Sequence, residues 1–198
     1  MVTRPGRERF AARAISCFGS QSYEPRELVI LRHEDESVSL GEMRNRSFAR
    51  ASGDLLATWD DDDLHDRGRL ATQIERLSES GADACFLSRI TLECLCGHKI
   101  TSAKRSLWEG TMIVRRETIR DLKYPPDKRG SDSSFIHAAL DRGLKTTTVD
   151  DSSLYVYRYH GDNLWHAEHF DRLFEHAGSG HRPSSCLTLR SVYLKRID

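Results

Sequence analysis

The amino-acid sequence predicts an α/β domain with a largely parallel central sheet. Its first half alternates amphipathic helical patterns with short, continuous apolar runs, which are typical of strands covered by helices on both faces. One of these runs, residues 54–59, ends in four consecutive aspartates, Asp60 to Asp63. Because ligands bind beyond the carboxyl ends of the strands in such sheets, this position favours a functional role for the aspartates.

The elements follow in order from the spacing of apolar residues and from turn residues. Helices are predicted at 7–22, 39–53, 66–80, 131–143 and 163–178, with Gly53 and Gly143 as end signals. Strand character is predicted at 27–32, 54–59, 82–90, 145–150 and 153–160, and a hairpin or meander around Gly97 and Gly110 at 91–115. These elements form a single expected domain over residues 1–178, followed by a polar, basic tail at 179–198 to which the pattern assigns no element.

The beginning of the chain departs from the usual order of a doubly wound sheet. Only "MVT" precedes the first helical pattern, whereas such a sheet usually opens with a full strand. We therefore expect a truncated first strand of two or three residues. Either this strand is very short or the start codon lies inside it.

Composition limits the classes of function. The 198 residues carry 30 Lys and Arg and 30 Asp and Glu, a net charge of 0 that argues against a nucleic-acid binder. No apolar run approaches the roughly 20 residues of a membrane helix, and the first ten residues lack an apolar signal region. We expect a cytoplasmic protein whose association with the inner membrane, if any, is peripheral.

The cysteines predict thiols and no disulfide framework. There are 5 of them, an odd and scattered set that suits a reducing compartment. The segment "CLCGH", residues 94–98, contains the elements of half a zinc site, but no second cluster with ligand spacing follows. Because positions 94, 96 and 98 alternate as on one face of a strand, we interpret them as strand residues.

The four aspartates suit a divalent cation. Magnesium and manganese prefer oxygen ligands and commonly bridge one or two carboxylates to substrate phosphates. The register of an EF-hand loop is missing, and so is the Gly-rich loop of P-loop enzymes. A solvated turn remains the simplest alternative, because runs of charge usually face water.

The surrounding motifs resemble those of family-2 glycosyltransferases, which have the GT-A fold. The aspartate segment "TWDDDDLHDRGRL" is similar to the family's DXD region, and "SLGEMRNRSFARASGDLL" to the segment before it. Three more segments are similar to the family in order and spacing. The first helix and second strand correspond to "RPGRERFAARAISCFGSQSYEPRELVIL", a late acidic helix start to "GSDSSFIHAAL", and the closing segment to "YRYHGDNLW". The resemblance covers about residues 2–170 and implies a GT-A type domain with a mostly parallel sheet flanked by helices.

The resemblance also implies roles for individual residues. Asp132 is similar to the family's catalytic base, and Asp62 to its direct metal ligand, with Asp63 and His160 beside it. The implied donor contacts are Thr3, Arg4, Asp35, Arg44, Asn45, Asp60 and Asp61. Trp108, Glu109 and Thr111 border the implied acceptor region, although a tryptophan such as Trp108 is more often a core residue. Asp35, or Glu34, is implied as a substitute from a shifted position, because Arg32 and His33 replace the acids that usually end the family's second strand.

The implied reaction transfers a sugar from a nucleotide-diphosphate donor, a UDP-sugar, to the hydroxyl of a glycan, lipid or other acceptor. It inverts the anomeric configuration and depends on Mn²⁺ or Mg²⁺. Two alternatives stay open at this point. One is a nucleotide-sugar-binding relative without activity, or a truncated domain; the other is a nucleotidyltransferase, for which "TRPGRER" offers three arginines but only one glycine.

Overall fold

The structure of the chain is a computed structural model that describes residues 1–103, 105–126, 130–178 and 180. The helices are α1 (Glu8–Gly19), α2 (Leu40–Arg50), α3 (Arg69–Ser80), α4 (Ser131–Asp141) and α5 (Ala167–His176). The strands are β1 (Val2–Thr3), β2 (Leu31–Arg32), β3 (Leu55–Ala57), β4 (Leu64–His65), β5 (Ala84–Leu87), β6 (Thr91–Glu93), β7 (Lys99–Thr101), β8 (Ile113–Arg115), β9 (Thr146–Val149) and β10 (Tyr155–Arg158). Short 3₁₀ turns occupy Glu109–Thr111, Arg116–Ile119 and Ser152–Leu154.

The strands form three hydrogen-bonded groups. The central sheet has the order β3-β8-β5-β9, a second sheet has the order β4-β10-β6-β7, and β1 pairs with β2. The pairs β1–β2, β5–β9 and β6–β10 are parallel, whereas β8 runs antiparallel to both β3 and β5. The α/β class is confirmed, but the pairing is mixed where a mostly parallel sheet was expected, because β8 is inserted between the two strands.

Helices cover both faces of the central sheet, and the alternation of strand side chains explains why. On one face Phe86 and Val114 pack with Phe135 of α4. On the other face Cys85 and Ile113 pack with residues of α1 and α3. Successive strand residues point to opposite faces, so a strand covered on both sides must be apolar throughout, as β5 is.

The second sheet is covered by α5. Leu92 of β6 and Tyr155 of β10 pack with Phe174, which is 0% exposed. The sheet matters for the site because β10 pairs with β4, which directly follows the four aspartates. The two sheets therefore meet at the carboxyl end of β3.

The predicted helices are all present, with differences at their ends. The second helix ends at Arg50, three residues before the expected Gly53, because the backbone turns to an extended conformation at Ala51. The third helix ends at Ser80 as expected, and Gly81 after it adopts the left-handed conformation that commonly terminates helices, with a φ of 62°. The strand expected at 27–32 is limited to Leu31–Arg32, and Gly110 lies in a 3₁₀ turn instead of a hairpin.

Two expectations concern the ends of the chain. The first strand consists of Val2–Thr3, as the short stub predicted. Of the tail expected at 179–198, only residue 180 is described, so this expectation lies outside the described residues. In the described part of the chain, no helix combines the length and apolar character that crossing a bilayer requires.

Candidate active site

The four aspartates after β3 point to different partners. Asp61 is 6% exposed and accepts a forked pair of hydrogen bonds from Arg7, whose Nε lies 3.0 Å from Oδ2 and whose Nη2 lies 2.8 Å from Oδ1. Arg7 occupies the position before the first residue of α1, and its Nη1 also donates to the carbonyl oxygen of Asp162 at 3.1 Å. A buried carboxylate is thereby given a fixed, bidentate cation.

Asp62 shares the same arginine and adds a histidine. Its Oδ2 lies 2.5 Å from Nη2 of Arg7 and 2.9 Å from Nε2 of His160. Nδ1 of His160 accepts a hydrogen bond from the backbone N–H of Asp162 at 3.3 Å, so Nε2 is the ring nitrogen that faces Asp62. Burial raises the pKa of Asp62, but the contacts with His160 and Arg7 outweigh it and hold this pKa below its usual value.

Asp63 is turned inward and is 2% exposed. One oxygen accepts a short hydrogen bond from the hydroxyl of Tyr155, and the other accepts the backbone N–H of Arg158 at 3.0 Å. Burial and the neighbouring carboxylates raise its pKa well above the usual value. Burial, the raised pKa and the use of both oxygens by β10 together favour a structural role for Asp63 over direct binding of a cation.

Arg44 connects the aspartates with the start of α4. Its Nη2 lies 3.5 Å from Oδ1 of Asp60, and its Nη1 lies 3.7 Å from Oδ2 of Asp132. Burial lowers the pKa of Arg44, but the interactions with Asp60, Tyr124 and Asp132 more than compensate and raise it above its usual value. One guanidinium therefore contacts both Asp60, at the expected donor end, and Asp132, the expected catalytic base, although about 70 residues separate the two aspartates in the sequence.

Asp132 stands at the opening of the cleft, in the first turn of α4. Its side chain is 30% exposed, which leaves it accessible to a bound molecule. The helix follows Gly130, whose φ of 73° favours glycine, and the positive end of the helix dipole stabilises a carboxylate there. The next residue, Ser133, donates from its hydroxyl to Oε1 of Glu109 at 2.8 Å.

The region implied for the acceptor is divided by the structure. Glu109 and Trp108 line the same cleft of about 1180 Å³ as the aspartates and Asp132. Burial raises the pKa of Glu109 above its usual value. Thr111 is 0% exposed, and its hydroxyl bonds to the backbone of Trp108 and Leu87, so it has no access to an acceptor.

The residues implied as donor contacts also differ in their access. The hydroxyl of Thr3 is buried beside the cleft and has no hydrogen-bond partner among the described residues, a position that suits a ligand contact. Arg4 lines the cleft. The side-chain amide of Asn45 instead exchanges hydrogen bonds with the backbone of Tyr124. Asp35 is exposed, accepts a hydrogen bond from the hydroxyl of Ser37, and is not among the described residues that line the cleft.

A divalent cation was implied at this site, and the donor atoms allow a limited fit. No group of three or more His, Cys, Asp or Glu side chains within 1–103, 105–126, 130–178 and 180 is arranged to hold a metal ion. Asp62 offers a carboxylate oxygen, which suits a cation that takes its other ligands from phosphates and water. Nε2 of His160 is bonded to this same oxygen and would have to leave it in order to bind the cation. The same Asp62 oxygen contacts Arg7, so the arginine and a cation compete for it.

Sequence reasoning missed two arginines that the acidic cluster depends on. Arg7 compensates Asp61 and Asp62, as described above. Arg69 is 0% exposed, its Nη1 lies 2.6 Å from Nδ1 of His65, and it interacts electrostatically with Asp60 and Asp63. Burial lowers its pKa to about 10. The signal was present, because four adjacent carboxylates require nearby positive charge.

Comparison with protein families decides the class. The family model described as "Glycosyl transferase family 2" matches residues 20–124, more than half of the 198-residue chain. The chain belongs to glycosyl transferase family 2. Comparison with curated proteins gave no match.

Solved structures support the GT-A fold of this family-2 glycosyltransferase chain. It is similar to S. aureus TarS 1-349 with a TM-score of 0.61 and 14% identity, over 79% of this chain and 59% of that chain. The TarS 1-349 complex with UDP matches with a TM-score of 0.61 and 15% identity, over 88% of this chain and 69% of that chain. The complex with UDP-GlcNAc matches with a TM-score of 0.63 and 14% identity, over 87% of this chain and 63% of that chain. The chain thus spans between 59% and 69% of the length of these TarS chains.

Proposed function

We propose that the chain transfers a sugar from a nucleotide-diphosphate donor to an acceptor hydroxyl, with Asp132 as the base. The observation that carries this proposal is the bridge formed by Arg44, whose Nη2 contacts Asp60 and whose Nη1 contacts Asp132. A donor bound at the strand-end aspartates would therefore present its sugar to a carboxylate at the start of α4. Family membership supports transfer as the reaction class.

A UDP-sugar is the proposed donor. TarS 1-349 has been crystallised with UDP and with UDP-GlcNAc, and this chain shares its fold. The buried hydroxyl of Thr3 and the charge of Arg4 lie where the nucleotide would enter the cleft. Asp61, fixed by Arg7, offers carboxylate oxygens to ribose hydroxyls.

The proposed chemistry at the acceptor needs one base. Asp132 accepts the proton of the acceptor hydroxyl as this oxygen attacks the anomeric carbon from the face opposite the leaving diphosphate. One displacement of this kind inverts the anomeric configuration. Trp108 and Glu109 border the space that the acceptor, a glycan, a lipid or another hydroxyl compound, would occupy.

Metal dependence and location complete the proposal. Asp62, with His160, would hold Mn²⁺ or Mg²⁺, which when bound offsets negative charge on the leaving diphosphate. Arg7 and Arg44 supply fixed positive charge beside the same carboxylates. We place the protein in the cytoplasm, where nucleotide sugars and reduced cysteines are expected.

The test is Asp132→Asn, with Asp141→Asn at the exposed end of the same helix as the matched control. We expect Asp132→Asn to lower turnover of a UDP-sugar by about 10² to 10⁴-fold, as the loss of a general base does. The Kd for UDP should stay unchanged, and Asp141→Asn should behave as wild type. Loss of UDP affinity with normal turnover would refute the assignment of Asp132 as the catalytic base. Wild-type protein that binds UDP with Mn²⁺ but turns over no UDP-sugar would instead identify an inactive binding relative.

A further inference from the structure

The segment "CLCGH" forms the turn between β6 and β7, where strand alternation was expected. Strand β6 ends at Glu93, and the backbone N–H of Cys94 donates to the carbonyl oxygen of His98 at 3.1 Å. Gly97 donates to the carbonyl oxygen of Cys94 at 2.8 Å and has a φ of 78°, which favours glycine. The turn therefore brings the side chains of residues 94 and 96 toward each other, whereas in an extended strand they would lie side by side on one face without touching.

The consequence is a close contact between two sulfur atoms. The Sγ atoms of Cys94 and Cys96 lie 2.6 Å apart. A disulfide bond is about 2.05 Å long, so a movement of roughly half an ångström brings the two atoms to bonding distance. Cys17 and Cys85 show no comparable pairing in the described residues, and burial raises the pKa of the Cys85 thiol to about 11.

The two cysteines differ in access in a way that assigns an order of reaction. Cys96 is exposed at the tip of the turn, whereas Cys94 is 2% exposed and packs with Leu92 and Phe174. A small disulfide in solution can reach the sulfur of Cys96. The sulfur of Cys94 then has that of Cys96 directly beside it.

We propose that Cys94 and Cys96 are a modification site at which oxidised glutathione installs a reversible intramolecular disulfide. The Cys96 thiolate attacks one sulfur of glutathione disulfide, forms a mixed disulfide and releases one glutathione thiolate. The Cys94 thiolate then attacks the Cys96 sulfur, forms the Cys94–Cys96 bond and releases the second glutathione. The protein loses two protons and two electrons, and glutathione disulfide takes them up as two molecules of glutathione.

The proposal is independent of the sugar-transfer reaction, because it rests on the hairpin alone. A structural metal site is the competing use of two neighbouring cysteines. Such a site needs four ligands, and the described residues contain no group of three that could hold a metal ion. Oxidation of the pair needs only the two sulfur atoms already in contact.

The test exposes the full chain to oxidised glutathione, alkylates the remaining thiols and locates the modifications by mass spectrometry of peptides. In wild type we expect a 94–96 disulfide that reduced glutathione reverses. In Cys94→Ala we expect a mixed disulfide that stays on Cys96, because the resolving thiol is gone. In Cys96→Ser, Cys94 should remain reduced.

Two control variants and three outcomes make the test decisive. Cys17→Ser and Cys186→Ser should close the 94–96 bond as wild type does; failure in Cys186→Ser would overturn the proposal. Persistence of glutathione on Cys96 in wild type, with Cys94 still alkylated, would overturn it as well. So would stoichiometric zinc in the purified protein that is lost in Cys96→Ser, because the pair would then serve a metal.

Discussion

Arg7 and Asp61 form a buried, two-bonded ion pair between the start of α1 and the end of β3. Nε and Nη2 of the arginine lie 3.0 and 2.8 Å from the two carboxylate oxygens, and Nη2 also contacts Asp62 at 2.5 Å. The pair joins residues 54 positions apart in the sequence. It places a fixed cation where a divalent metal ion was expected from the sequence.

Replacing Arg7 should therefore cost stability and increase the response to metal. We expect Arg7→Met to lower the free energy of unfolding by about 3–5 kcal/mol, because it leaves buried carboxylates without their partner. Mn²⁺ should raise the melting temperature of Arg7→Met more than that of wild type, since the cation then meets no competitor at Asp62. Urea unfolding and thermal melting with and without Mn²⁺ measure both effects.

Arg13→Met, on the exposed face of the same helix, is the control and should match wild type in both measurements. Arg7→Lys keeps one positive charge and should fall between wild type and Arg7→Met. Equal Mn²⁺ shifts in wild type and Arg7→Met would show that the arginine does not compete with the metal.

Asp62 and Asp63 should respond differently to the same substitution. Asp62→Asn should weaken the Mn²⁺-dependent binding of UDP, because Asp62 is the carboxylate placed beside His160. Asp63→Asn should leave this binding intact but lower the free energy of unfolding by about 1–3 kcal/mol, since it disturbs the bonds from Tyr155 and Arg158. Calorimetric titration of each variant with UDP in the presence of Mn²⁺ compares the two. An equal loss of binding in both variants would show that Asp63 also contributes to the metal site.

Local pattern predicted much of this fold, because helices and strands are encoded by neighbouring residues. The spacing of Leu70 and Leu77 indicated the helix that became α3, and the apolar run before Asp60 indicated β3. Strand β4 was missed because two residues carry no periodicity, and it exists through its pairing with β10. The antiparallel insertion of β8 was missed because the order of strands in a sheet is a tertiary property, which local spacing does not encode.

The candidate site was predicted by residue type better than by role. Asp60 to Asp62 and Asp132 do line one cleft. Asn45 matched a donor motif, yet its amide holds the backbone of Tyr124, a use that no short motif distinguishes from ligand binding. Arg7 could be foreseen only by asking which cation compensates four carboxylates.

Glu27 gives a prediction for pH. Its Oε1 accepts hydrogen bonds from the Ser52 hydroxyl at 2.8 Å and from the Gly53 N–H at 2.9 Å, as well as a short one from the Ser52 N–H. These bonds, led by the one from the Ser52 backbone, lower the pKa of Glu27 below its usual 4.5. Because the folded pKa is lowered, the stabilisation is complete above the unfolded pKa and is lost as pH falls toward the folded pKa.

We therefore expect wild type to be more stable than Glu27→Gln at pH 7, with the difference shrinking below about pH 4.5. Urea unfolding at several pH values between 7 and 3.5 measures this difference. Glu79→Gln, at an exposed position near the end of α3, serves as the comparison and should match wild type. A difference between wild type and Glu27→Gln that is independent of pH would contradict the ionised carboxylate as its cause.

Gly110 gives the last prediction, because an added side chain there would collide with the support of the acidic cluster. A Cβ at this position would lie 2.5 Å from the hydroxyl oxygen of Tyr155 and 3.3 Å from Oδ2 of Asp60. Gly110→Ala should lower the free energy of unfolding by about 1–3 kcal/mol, the usual cost of overpacking. Gly19→Ala, where an added Cβ meets nothing within 4 Å, is the control and should cost little.

The collision can be separated from a general loss of flexibility by a double-mutant cycle with Tyr155→Phe. This second change removes the hydroxyl that the new Cβ would strike, although it also takes a hydrogen bond from Asp63. Gly110→Ala should therefore cost less in the Tyr155→Phe background than in wild type, with a coupling of about 0.5–3 kcal/mol in urea unfolding. Strictly additive effects would mean that Gly110 is required by its backbone and not by the nearby hydroxyl.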